Sequence, residues 1–180
     1  MRTEPHRLVC YDVRCSSSVY RKYTDGKESH KNQVKYENLK IFFHGPKKKG
    51  VPGNPFILAT EFFSFKAYGL THKENGNREL CEFLSAWFDE DIDPVGLYDM
   101  TFEEIKAQLI DKSAEIDFTV IPNDRGGKKT VINAIRPTDH NIWRIPNIKT
   151  PAYLLKGCTG KKGGSFPLKK ASLKIVEEQC

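Results

Sequence analysis

The chain has 180 residues, 38% of them hydrophobic and 11% aromatic, with a formal net charge of +6. That apolar content fills one ordinary core, and dividing it would leave two marginal ones, so a single domain with extensions is expected. No run approaches the ~20 apolar residues of a membrane span, and the start "MRTEPHRLVCYDVRC" lacks the apolar stretch of a secretory signal, so the expected location is the cytosol of the host cell.

Taken in order, "HRLVCYDVRC" (6–15) mixes Leu8, Val9, Tyr11 and Val13 with polar residues and predicts a first strand. "SSSVYRKYTDGKESHKNQ" follows, polar and carrying an Asp-Gly turn signal, and predicts a long loop or an irregular hairpin. "VKYENLKIFF" (34–43) and "PFILATEFFSFKA" (55–67) are rich in β-branched and aromatic residues and predict a second and third strand. The stretch between them, "HGPKKKGVPGN", sets Lys47, Lys48 and Lys49 among prolines and glycines, a stiff loop that holds three charges away from the surface.

The period then changes. Leu80, Phe83, Leu84, Trp87 and Phe88 fall on one helical stripe, with Asn77 as candidate cap. Thr101 and Glu104 stand at capping-box spacing ahead of Phe102, Ile105 and Leu109, which predicts a second, shorter helix over 101–110. In "AEIDFTV" (114–120) the period returns to two, with Glu115, Asp117 and Thr119 facing outward, and "TVINAIR" (130–136) is its partner strand across "PNDRGGKK". The charge is divided unevenly: residues 74–124 hold fourteen acids against three basic residues, net −11, and the rest of the chain is net +17. Such a division favours one strongly positive side, which attracts polyanions.

Five strands with helices between the third and fourth make a mainly β, α+β layout, that of the OB-fold, a five-stranded Greek-key barrel that binds oligonucleotides and sugars. On this reading residues 1–137 form the barrel domain and 138–180 an irregular, partly flexible basic extension. All three inter-strand loops are basic: Arg21 and Lys22 with Tyr20 and Tyr23 after the first strand, Lys47–Lys49 after the second, and Arg125, Lys128 and Lys129 after the fourth. Lysines supply sequence-independent phosphate contacts, and aromatic side chains supply surfaces on which bases stack. Tyr20 and Tyr23 are the expected stacking residues; Tyr36, Phe43, Phe63 and Phe65 are further candidates, each expected more often in the core.

The motifs "NLKIFFHGP", "NPFILATEFFSF", "RELCEFLSAWF" and "MTFEEIKAQLIDKSAEIDFTVIPNDRGGKKTVINAIRP" resemble phage-encoded single-stranded DNA-binding-like proteins of replication and recombination modules, over roughly residues 34–137. The resemblance implies binding of single-stranded DNA with little sequence preference, with replication or recombination proteins as partners. RNA is a variant of that reading, since no residue here tells ribose from deoxyribose. In "LIDK" Asp111 stands where the resemblance implies a glycine, and the acidic tail of bacterial single-stranded DNA-binding proteins is absent.

In 138–180, Trp143 is expected to be buried, and "KGCTGKKGGSFPLKK" has the composition of a flexible basic tail; Lys162 replaces the second glycine a phosphate-binding loop requires. The five cysteines lack a C-x-x-C pair and predict free thiols. The five histidines lack metal-ligand spacing, so neither metal, cofactor nor catalytic role is expected. A competing class is a protein-interaction module, or inhibitor of a host factor, that works through the acidic segment 74–124. Oligomerisation is open on either reading.

Overall fold

A computed structural model describes residues 5–24, 27–68 and 78–158, with side chains placed for 5–16, 37–65 and 78–158. Its centre is a long antiparallel ribbon. Strand β1 (His6–Thr24) pairs with β2 (Lys27–His44) from Val9↔His44 to Thr24↔Lys27. The polar run after Ser16 is therefore strand and not the long loop that its composition predicts: Tyr20, Arg21, Lys22 and Tyr23 continue β1, and the irregular hairpin is the alternative that fits. The run from Ser16 to Gln33 carries no alternating apolar pattern, so its polar sequence reads as loop.

The third expected strand is divided into β3 (Ile57–Ala59) and β4 (Phe63–Tyr68), both paired with β2. Thr60 makes the break. Its hydroxyl accepts the Ile41 N–H at 3.0 Å and donates to the Glu61 carbonyl at 2.8 Å, replacing a ladder hydrogen bond with side-chain chemistry.

Helix α1 (Arg78–Phe88) buries Leu80, Cys81, Leu84 and Trp87. Then comes a short helix beyond the two expected, α2 (Pro94–Asp99), with Asp93 accepting the Val95 N–H and Pro94 in its first turn. Helix α3 (Phe102–Leu109) has the predicted capping box: Thr101 Oγ1 accepts the Glu104 N–H at 3.2 Å, and Glu104 accepts the Thr101 N–H at 3.3 Å. Strands β5 (Ser113–Pro122) and β6 (Lys128–Pro137) form the predicted hairpin. Its turn is organised by Asn123, whose side-chain carbonyl oxygen accepts the N–H groups of Arg125 and Gly127, with Gly126 at φ +81°.

The sheet is mainly antiparallel, in the order β3-β2-β1-β5-β6 with β4 also on β2. It is open: among the described residues no ladder joins β6 to β3 or β4, and α1 packs against both β6 and β4 at that margin. One face holds the main core, where Leu8, Ile41, Phe43, Phe65 and Ile116 meet Leu80, Leu84, Trp87, Phe102 and Ile105 from the helices. The indole of Trp87 lies 5.3 Å from the Phe43 ring and donates to the Ser113 carbonyl at 3.1 Å. Among the cysteines, Cys10 and Cys81 are buried free thiols, whereas Cys15 is disulfide-bonded, a correction to the expectation of free thiols throughout.

The opposite face is covered by the segment that follows β6. It runs over the sheet as a strap and ends in a 3-10 turn (Ala152–Leu155). Leu155 and Cys158 bury against Phe42 and Ala59, with Tyr11, Phe62 and Leu154 at the margin. Five polar contacts fasten it: Ile142 N–H to Ser113 Oγ, Arg144 to Asp111, Ile145 N–H to His44 Nε2, Tyr11 with Thr150, and Asn54 to the Lys149 carbonyl. No helix among the described residues is long and apolar enough to cross a membrane.

Candidate nucleic-acid interface

Strand register decides which basic clusters leave the sheet at the same end. Strand β2 ends at His44 beside Val9, and β5 runs from Ser113, also beside Val9, past His6 at Ile116. The loop after β2 and the turn after β5 therefore both leave the sheet at the end where β1 begins. Lys47, Lys48 and Lys49 are exposed in the first of these, and Arg125, Lys128 and Lys129 are exposed in and just after the second. Gly50 and Gly53 have φ of +81° and +98°, which the lysine loop needs for its reversals. Asn54 ties the loop to the strap at 2.9 Å, which brings Lys149 to the same end.

Between the loops lies a stack of rings. Phe56, the last residue before β3, sits 5.5 Å from Phe118 of β5 at 18° and 5.5 Å from His6 of β1 at 28°, and His6 lies 4.8 Å from Phe118. Phe56 keeps 46% of its surface exposed. A cleft of about 690 Å³ opens beside it, lined by His6, Arg7, Pro46, Lys48, Phe56 and Glu115. Arg7 stands 3.7 Å from Glu115, whose carboxylate also takes Arg136 at 3.0 Å, so the acidic face expected on β5 is largely neutralised by arginines.

Tyr20, Arg21, Lys22 and Tyr23 are placed elsewhere. Tyr20 pairs with Val34 and Arg21 with Gln33, at the far end of the ribbon. Eleven residues from Val9 to Tyr20 at about 3.3 Å each put roughly 36 Å between the two ends. Phe43 and Phe65 are fully buried and Phe63 packs on Phe83, while the Tyr36 side chain lies outside the described residues.

Trp143 is 93% exposed and Tyr153 77%, which corrects the expectation that the indole is buried. The strap is fixed on either side of Trp143, by the Ile142 N–H and the Arg144 guanidinium, and its own side chain turns outward. His6, Phe56, Phe118 and Lys149 are candidate site residues that the sequence alone does not single out. The one signal it holds is that Phe56 closes the lysine loop, and only the register shows that it meets β5.

Burial pushes the Cys10 thiol far up and raises Cys81 too, which keeps both protonated and inert. Lys40 is lowered by burial, its ammonium 5.3 Å from the Phe62 ring and 5.7 Å from the Phe42 ring. No cluster of His, Cys, Asp or Glu among the described residues is arranged to hold a metal ion. The basic tail, including Lys161, Lys162, Lys169 and Lys170, lies outside the described residues. No known protein family, curated protein or solved structure matches this chain.

Proposed function

We propose that this protein binds single-stranded DNA with little sequence preference, as a coat for strands exposed during replication or recombination of a phage or mobile element. One observation carries the reading: two basic loops distant in sequence leave the same end of the sheet, with an exposed ring stack between them. Lysines 47–49 on one side and Arg125, Lys128 and Lys129 on the other would track the sugar-phosphate chain. Phe56 and His6 would give a base its flat surface.

The strand order adds support. With β3 and β4 counted as one interrupted strand, the order is third, second, first, fourth, fifth, as in an OB barrel opened at its last seam, with α1 in that seam. The four residues at the far end of the ribbon would act as a second contact only for a strand that runs its length.

The test is anisotropy of a labelled oligo-dT at two salt concentrations. Tight binding that weakens steeply with salt and is abolished when Lys47, Lys48 and Lys49 become glutamates is the expected result. No anisotropy change at low salt refutes the reading. Parallel titrations with duplex DNA and RNA decide which nucleic acid is preferred.

A further inference from the structure

Away from the basic end, the three helices enclose an open groove of about 620 Å³. Its floor is apolar: Leu84 and Phe88 from α1, Ile92 from the following turn, Met100 after α2, and Ile105 and Leu109 from α3. Its rim carries Glu90, Asp91 and Asp93, all exposed, against the single cation Lys112. The volume lies within the range of ~300–1,000 Å³ usual for ligand clefts. Nucleic acid is repelled from such a rim, so the occupant differs from that of the basic end, and the groove keeps its chemistry whether or not that end binds DNA.

We infer that this groove docks a short basic segment of a partner protein, with apolar side chains on the floor and lysines or arginines against the rim. The partly exposed floor residues Phe88, Ile92 and Met100 supply the drive through burial, and the carboxylates select the sign of the flanking charge. Purely basic or purely apolar peptides satisfy only one of the two requirements. The groove's position in the block of net −11 adds long-range attraction for a cationic segment.

The probe is a fluorescein-labelled synthetic amphipathic peptide of about sixteen residues, with leucines at the i, i+3, i+4, i+7 spacing that helix-in-groove binders use and lysines elsewhere. The full chain should bind it, and should bind the same peptide with glycine for leucine, or with glutamate for lysine, at least about tenfold more weakly. Glu90→Lys with Asp91→Lys, both exposed and remote from the core, should weaken binding by a similar factor and leave the melting temperature unchanged. Ile92→Lys should do the same from the floor, and methyl NMR shifts should be confined to Leu84, Ile92, Leu97, Met100, Ile105 and Leu109. Equal binding by the charge-reversed variant, or by the leucine-free peptide, overturns the inference. Concentration-dependent dimers in the absence of peptide, abolished in Glu90→Lys with Asp91→Lys, would assign the groove to a second copy of this chain and likewise overturn it.

Discussion

The backbone N–H of Ile145 donates to Nε2 of His44 at 3.0 Å, while Nδ1 of the same ring lies 2.7 Å from the Gly45 carbonyl oxygen. The two hydrogen bonds require a neutral imidazole with its proton on Nδ1, because a proton on Nε2 would face the Ile145 N–H. Burial depresses the His44 pKa, the Gly45 hydrogen bond works against that, and Arg144 adds to the depression. The unfolded state therefore takes up a proton first. Stability from this site is complete above the ordinary histidine value of about 6.5 and declines as pH falls through it toward the lower folded value. The protection factor of the Ile145 amide, referred to intrinsic exchange at each pH, should fall as pH is lowered from roughly 7 to 5. In His44→Gln, which takes up no proton, that pH dependence should vanish; if it persists, His44 is not the group responsible.

Asp111 holds φ at +72°, a left-handed conformation, where β5 is entered. Its N–H donates to the Cys10 carbonyl at 3.0 Å, so the turn has no freedom to relax. Asp111→Ala should cost about 1–2 kcal/mol, mostly backbone strain. Asp111→Gly should be close to neutral, since glycine accepts this φ and the Arg144 partner, 42% exposed, contributes little. Urea midpoints of the two variants check this; equal destabilisation would put the cost in the ion pair.

The capping box on α3 predicts a coupled pair. Thr101→Ala should destabilise by about 0.5–2 kcal/mol, and Glu104→Ala by less. In the double variant the destabilisation should fall short of the sum, because each side chain satisfies the other's backbone N–H. Thermal melts of the four proteins suffice, and strict additivity would rule out a reciprocal cap.

Phe56 and Lys48 should separate in binding measurements. Phe56→Ala should weaken oligo-dT binding by about 1–3 kcal/mol per stacked base with the salt slope unchanged. Lys48→Glu should flatten the slope of log K against log salt by about 0.7 or more for each phosphate the protein no longer neutralises. If Phe56→Ala flattens the slope instead, its ring acts by placing the lysine loop and does not stack on bases.

Elements with a strong period are legible in the sequence. The stripe from Leu80 to Phe88 and the Thr101/Glu104 box form where expected, and the alternation from Ala114 buries one face as far as Phe118, whereas Val120, expected on that face, is 50% exposed. Elements without a period are not. Ser16 to Thr24 lies in a strand whose polar sequence carries no facing signal, and α2 buries a single residue, Leu97, although Asp93-Pro94 does spell a helix start. Thr60 breaks the third strand through its hydroxyl, which no hydrophobic pattern records. For the candidate site, exposure of the lysine loops follows from their prolines and glycines. Their leaving the sheet at one end does not, because it depends on which residues of β1 face β2 and β5. Trp143 shows the limit of reasoning from size alone: anchors on both sides decide which way a large side chain points.

Helix α1 occupies the place where a closed barrel would have its final ladder, and its presence there bears on how the molecule survives in a crowded solution. An uncovered strand margin is a template on which other chains can grow. Helix α1 covers that margin, with Glu79 and Glu82 facing a cleft that Lys129 of β6 also lines, so the exposed edge offers a passing strand charge in place of apolar surface. Lengthening the apolar stripe of α1, or neutralising those two glutamates, would turn a quiet border into a seed for fibres.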